Sequence, residues 1–175
     1  MITSFPEIIT GRAATPVTDY LFTIRDEKDA RPLEKERAMA FHHTVAQLLF
    51  MSTRARRDIQ TAVAFLTTRV KSPDEDDWGK LKRVLKYLNG TKHLKLTLSV
   101  ENLGVLKWYV DGSHNVHWDC KGHGGAVFTM GKGSVSSYSR KVKLNTRSST
   151  ETELVSADMF MPEMLWSLSF IQSQG

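Results

Sequence analysis

Apolar residues recur along this chain at two different spacings, and the change between them divides it. From Glu34 to about Thr53, Met39, Thr44-Val45, Leu48-Leu49 and Met51 fall three or four positions apart, which predicts a helix with one apolar face. Asp58 can cap a second helix, whose stripe is Ile59, Ala62-Val63, Phe65-Leu66 and Val70. Ser72-Pro73-Asp74-Glu75 stops one helix and starts another: serine as cap, proline at the first position, acids on the positive end of the dipole. That third helix buries Trp78, Leu81, Val84-Leu85 and Leu88, and Gly90 closes it.

From Leu94 the period becomes two. Leu94, Leu96 and Leu98 alternate with polar partners, and Val105 to Asp111 forms a second strand. Gly124 to Met130 is a third, turned at Gly131-Lys132-Gly133 into a fourth, Ser134 to Ser139. A last helix opens with two overlapping capping boxes, Ser148 with Glu151 and Thr150 with Glu153. Its apolar residues Leu154, Ala157, Met161, Leu165, Leu168 and Ile171 form a stripe, and Pro162 is a site for a kink. Residues 1–33 lack periodicity and read as an extended lead-in with a charged run, Arg25-Asp26-Glu27-Lys28-Asp29. The halves meet near Glu101-Asn102-Leu103-Gly104, giving segments 1–33, 34–100 and 101–175.

Composition narrows the class. A net charge of +5 leans toward a polyanionic partner. The single cysteine, Cys120, excludes an internal disulfide and fits a reducing compartment. No apolar run approaches the ~20 residues that span a bilayer, and the start, Met1-Ile2-Thr3-Ser4-Phe5-Pro6-Glu7, has no signal-peptide pattern. The polar face of the third helix carries Lys80, Lys82, Arg83 and Lys86, with Lys92 and Lys95 beyond. That face is either a solvated surface or a patch for a phosphate backbone.

Several motifs fall short of the chemistry they suggest. His114, His117, Cys120 and His123 are four zinc-type ligands, but structural zinc sites separate two close pairs by a longer stretch, so a polar loop is expected here. Gly131-Lys132-Gly133-Ser134 lacks the spacing and following helix of a phosphate loop and reads as a hairpin turn. Nothing in the sequence gives Cys120 an oriented base. Two acids are left with a suitable setting: Asp111 at a strand end and Glu153 one turn into a helix. On spacing alone, Asp111 is equally a turn residue and Glu153 a capping-box partner, and Glu151 and Asp158 share the helix.

Three stretches together resemble a known family. They are Lys107-Trp108-Tyr109-Val110-Asp111-Gly112-Ser113, Val116-His117-Trp118-Asp119-Cys120-Lys121-Gly122-His123-Gly124-Gly125, and Lys143-Leu144-Asn145-Thr146-Arg147-Ser148-Ser149-Thr150-Glu151-Thr152-Glu153-Leu154. They look like the ribonuclease H region of copia-type LTR retrotransposon Pol polyproteins. Upstream, Phe41-His42-His43-Thr44-Val45-Ala46, Arg54-Ala55-Arg56-Arg57-Asp58-Ile59-Gln60 and Leu85-Lys86-Tyr87-Leu88-Asn89-Gly90-Thr91 resemble the end of the same element's reverse transcriptase.

The resemblance implies an α+β or α/β architecture: thumb and connection helices over 34–100, then a truncated ribonuclease H-like mixed sheet with one packed helix. It implies hydrolysis of the RNA strand of RNA–DNA hybrids by two Mg²⁺ ions, with Mn²⁺ as substitute. Asp111 matches the first-strand acid and Glu153 the helix acid, whereas Glu151 does not. Ser149 and Thr150 match positions that touch 2′-hydroxyls, and Lys80, Arg83 and Lys86 become candidate phosphate contacts. The implied partners are the hybrid or another nucleic acid and the remainder of the Pol polyprotein, with no membrane, in a cytoplasmic particle or the nucleus. The polymerase aspartates and the two later ribonuclease H acids have no counterpart in these residues. The competing expectation is therefore a catalytically dead retroelement remnant that at most binds nucleic acid.

Overall fold

The periodicities become helices and strands in the expected order. The computed structural model describes residues 5–26 and 28–174. Met1 to Ser4 at the start of the lead-in, Glu27 of its charged run and Gly175 lie outside the described residues. Helices α1 (Lys35–Arg54), α2 (Gln60–Arg69) and α3 (Glu75–Gly90) precede strands β1 (Lys107–Ser113), β2 (His123–Thr129) and β3 (Ser136–Lys141), and α4 (Ser149–Ser173) follows. The content is α+β, and the chain divides into two units, Met1–Lys95 and Leu96–Gly175.

In the first unit, α1, α2 and α3 pack their apolar faces together. Phe41, Val45, Leu48, Val63, Phe65, Leu66, Leu81, Val84 and Leu85 are sealed from solvent, each worth about 1.5–3 kcal/mol of hydrophobic stabilisation. The buried stripe of α1 is rotated from the expected one: Phe41 is inside, while Met39 and Leu49 are exposed. Asp58 does not cap α2. It lies in a 3₁₀ turn, Arg57–Ile59, with its carboxylate committed to Arg56 and Tyr87. Nor does Ser72 cap α3. Asp74 does so, in a reciprocal box with Asp77, because Leu33 N–H donates to the Pro73 carbonyl and Glu75 N–H to that of Arg31, clamping 31–33 against 73–75.

The lead-in contains no helix or strand among its described residues, yet it is packed. Phe5, Ile9, Leu21 and Leu33 are buried in the first unit's core. Phe5 stacks on Trp78 at 4.8 Å, and Trp78 Nε1–H donates to Glu7 Oε1 at 2.7 Å.

In the second unit the strand order is β1-β2-β3 and both pairs are antiparallel, so the sheet is a meander and not the mixed sheet expected. The connections are too short for a parallel crossover. Asp111 pairs with Gly125, and Ala126 with Tyr138. Leu94 to Leu98 do not form a strand. The segment beyond them bonds to the β2–β3 turn through Ser99 N–H to the Lys132 carbonyl and Glu101 N–H to that of Met130. Leu94, Leu98 and Val100 stay exposed, with no face to bury.

Helix α4 departs most from its pattern. It runs unbroken through Pro162, and its buried residues are Thr152, Ser156, Phe160 and Ser167. Leu154, Met161, Leu165 and Leu168 are exposed. The sheet explains the reversal. Gly112, Gly122 and Gly124 make a floor so close to α4 that a built Cβ on Gly112 would lie 2.7 Å from Ser156 Oγ and one on Gly122 2.6 Å from Thr152 Cγ2. Small side chains, Thr152 and Ser156, fit against Gly112 and Gly122, while Gly124 makes room for Met159 and the buried Phe160 ring.

Candidate functional site

The candidate acids lie either side of this tight helix–sheet contact. Gly112 follows Asp111 in β1, and Thr152 precedes Glu153 in α4. A Cβ on Gly112 would stand 2.9 Å from the Thr152 carbonyl oxygen. The approach of these two backbones therefore brings the bearers of Asp111 and Glu153 to the same level of the unit. Strand alternation turns Asp111 away from the face that Gly112 presents to α4, and both carboxylate residues are exposed. Asp111 Oδ1 accepts the Gly112 N–H at 2.9 Å, which fixes the carboxylate at the strand end.

The other acids on α4 are in different settings. Glu151 Oε2 accepts the Arg147 N–H at 2.6 Å, a bond that steadies the helix start. Ser148 is the sole cap, accepting from Glu151 N–H at 3.1 Å; Thr150 lies inside the first turn, so the second expected box does not form. Ser149 and Thr150 stand exposed in that turn, on the approach to Glu153.

Three residues whose role sequence reasoning missed hold the helix start to the strand end. His114 Nδ1 lies 3.1 Å from both Thr146 Oγ1 and Thr152 Oγ1, and those hydroxyls are 2.6 Å apart. Three polar groups thus tie the loop after β1 to the first turn of α4. The spacing of His114 from Asp111 carried no signal of this, because its partners are 32 and 38 positions away.

The four zinc-type residues have separate roles. His114 is engaged as above, and Cys120 is exposed with a positive φ of 59°. His117 and His123 are buried and bonded to each other, Nε2 to Nδ1, at 3.0 Å, with His123 Nε2 2.7 Å from Ser139 Oγ. Burial pushes His117 down to about 4, helped by the Lys141 ammonium against the weaker pull of Asp119. Burial and the neighbouring His117 push His123 down to about 4 as well. Among the described residues no group of three or more His, Cys, Asp or Glu is placed to hold a metal ion.

In the first unit the candidate basic face of α3 is partly dismantled. Lys80 is buried, with its ammonium on the Thr23 carbonyl, 2.9 Å from Asp76 and over the Phe65 ring. It is therefore withdrawn as a phosphate contact. Lys82 is paired with Glu7, whose carboxyl is held below its ordinary range chiefly by that bond. Arg83 and Lys86 remain half-buried at the edge of a cleft. The Arg56 motif is structural: its guanidinium bonds both Asp58 oxygens and also the Thr91 carbonyl and hydroxyl. Burial opposes the charge on Asp58, but bonds from Arg56 and Tyr87 outweigh it and keep that carboxyl low.

Among the described residues no helix is long and apolar enough to cross a membrane. No family model and no solved structure matches the chain. Curated proteins do. The chain is 29% identical over 136 residues to the retrovirus-related Pol polyprotein from transposon TNT 1-94 of Nicotiana tabacum, covering 77% of this chain and 10% of that protein. It is 33% identical over 125 residues to the Pol polyprotein from transposon RE2 of Arabidopsis thaliana, covering 69% and 8%. It is also 28% identical over 123 residues to secreted RxLR effector protein 161 of Plasmopara viticola, covering 70% and 87%. The chain thus spans about a tenth of the Pol polyproteins it matches. By these matches it is a relative of a segment of the copia-type retrotransposon Pol polyproteins.

Proposed function

We propose that the second unit is a ribonuclease H-type site acting on the RNA strand of RNA–DNA hybrids, and that the first unit is the end of a reverse transcriptase that helps to grip the nucleic acid. The observation that supports this reading is the close approach of Gly112 and Thr152, the chain neighbours of Asp111 and Glu153, at a sheet–helix junction. The first strand and the packed helix each supply one acid there, in the order the family resemblance requires.

Asp111 and Glu153 are donors of the type that Mg²⁺ or Mn²⁺ takes. Mg²⁺ is commonly held by one or two carboxylates, with waters and substrate phosphate completing its shell, and Asp111 and Glu153 offer two exposed carboxylates. Among the described residues no third acid joins them. When bound, such an ion polarises a phosphoryl oxygen and acidifies its water. The protein's own part is positional. Gly112 N–H fixes the Asp111 carboxylate, and His114, Thr146 and Thr152 fix the helix start that carries Glu153. Ser149 and Thr150 present exposed hydroxyls beside Glu153 for a ribose 2′-hydroxyl.

A second reading is a remnant that binds nucleic acid without cutting it. The match over most of an effector protein shows the segment outside a Pol polyprotein. One experiment separates the two: a labelled RNA–DNA hybrid is incubated with the full chain in Mg²⁺ or Mn²⁺, beside Asp111→Asn and Glu153→Gln. Metal-dependent cleavage lost in both variants supports the enzyme. Binding without cleavage by a folded sample supports the remnant.

A further inference from the structure

The lead-in and the polar side of α3 enclose a cleft of about 1550 Å³ within the first unit. Its cations fall into two groups. Those beside the N-terminal half of α3 are already neutralised: Arg25 and Lys80 by Asp76, Arg37 by Glu7 and Glu75, Lys82 by Glu7. Arg25 and Arg31 lie along this half, fixed by the Arg25–Asp76 pair and by Glu75 N–H on the Arg31 carbonyl.

The C-terminal half is different. Arg83, Lys86 and Gly90 are spaced i, i+3, i+7 and share one face of the helix. Gly90 leaves room for the Arg12 side chain: a Cβ on Gly90 would lie 3.2 Å from both Cβ and Cγ of Arg12. The Arg12 loop is turned by Gly11, at φ +78°, and held by Asn89 Nδ2 on the Gly11 carbonyl at 3.5 Å. Arg83 donates only to the neutral Thr15 hydroxyl at 3.0 Å, and its buried Nε has no hydrogen-bond partner. Arg12 and Lys86 have no ion-pair partner among the described residues. Asp76 is ten positions from Lys86, ~15 Å along the axis. Three cations that line the cleft thus have no ion-pair partner among the described residues, enough to override the unfavourable end of the helix dipole.

We propose that Arg12, Arg83 and Lys86 form a phosphate-binding site at the C-terminal end of α3, completed by the lead-in. Guanidinium forks suit phosphate oxygens, and Lys86 adds a point charge. The phosphate comes either from a nucleic-acid backbone or from a free nucleotide or pyrophosphate. The first source rests on the nucleic-acid reading above, and the second does not.

The test uses the full chain, wild type and with Arg12→Gln, Lys86→Gln or Arg25→Gln, the last removing the same charge from the neutralised end. Hybrid affinity is measured against salt concentration, and inorganic pyrophosphate binding by calorimetry. The expected result is that Arg12→Gln and Lys86→Gln each reduce the steepness of the log–log salt dependence by about 0.9, the value of one phosphate contact, and weaken pyrophosphate binding, while Arg25→Gln does neither. Hybrid binding with an unchanged slope in the first two variants overturns the site but leaves the nucleic-acid reading intact. Pyrophosphate binding that needs Arg12 and Lys86, without hybrid binding, keeps the site and overturns that reading. Equal losses in all three variants would mean a diffuse positive field and sink the proposal, as would no binding of either probe.

Discussion

The buried His117–His123 pair makes the second unit sensitive to mild acid, and the size of the effect follows from its surroundings. A neutral imidazole has one donor and one acceptor nitrogen, so the 3.0 Å bond between the rings requires one to donate and the other to accept. A first proton can be accommodated in the hydrogen-bond chain, but it places a charge in a buried site facing the Lys141 ammonium, with Asp119 as the weaker, opposing charge. A second proton turns both facing nitrogens into donors and breaks the bond. Both histidines sit at about 4 in the fold against 6.5 ordinarily. The unfolded chain therefore binds more protons than the native one across that interval, and stability falls as pH drops from about 6.5 toward about 4. For one such histidine the loss between about pH 7.5 and about pH 5 is about 2 kcal/mol, and for both it approaches twice that. Urea titrations at these two pH values, read from the amide resonances of Val127 in β2 and Tyr138 in β3, measure it directly. The double variant His117→Gln, His123→Gln should flatten the pH dependence of those resonances. A wild-type midpoint that does not move with pH, or a double variant that keeps the full slope, refutes the assignment to this pair.

Three further perturbations probe the frame. Gly112→Ala should destabilise the second unit by about 2 kcal/mol, because its Cβ meets Ser156 Oγ and the Thr152 carbonyl; Gly125→Ala, whose Cβ finds nothing nearer than 3.9 Å, serves as control, and equal melting temperatures for the two would contradict the tight floor. Ser156→Ala should stabilise by about 1 kcal/mol, since the hydroxyl it removes is fully buried without a partner; thermal denaturation showing a loss would mean that the hydroxyl is bonded. Asp58→Asn should cost the first unit about 2 kcal/mol in chemical denaturation. That is below the 3–5 kcal/mol of a fully buried pair because the Asp58 side chain is 35% exposed, although Arg56 is only 11% exposed. A cost under about 0.5 kcal/mol would show the network to be ornamental.

What could be read from the sequence, and what could not, follows from where the partner of each pattern lay. The stripes of α2 and α3 were legible because amphipathic helices packed on one another each face an apolar neighbour, so Leu66 and Leu85 point where hydrophobicity says they should. In α4 the same rule misleads. Its partner is a glycine floor in which Gly112 and Gly122 reward small size and put Thr152 and Ser156 inside, Gly124 admits the Phe160 ring, and Leu154 and Leu165 face solvent. The lead-in was illegible for a related reason: Phe5, Ile9 and Leu21 have no period of their own and are ordered by surfaces far along the chain. Lys80 was misjudged because its charge is cancelled by the Thr23 carbonyl and Asp76, only the second of which is near it in sequence. The candidate acids combine both cases. Asp111 and Glu153 were visible as types at plausible ends of elements. The feature that relates them is a contact between a residue with no side chain and a backbone carbonyl, and neither registers in a pattern of hydrophobic and polar positions. The glycine next to each candidate acid on a strand is thus as informative as the acid itself, since it decides whether a helix can come close enough to make a pair of carboxylates into a site.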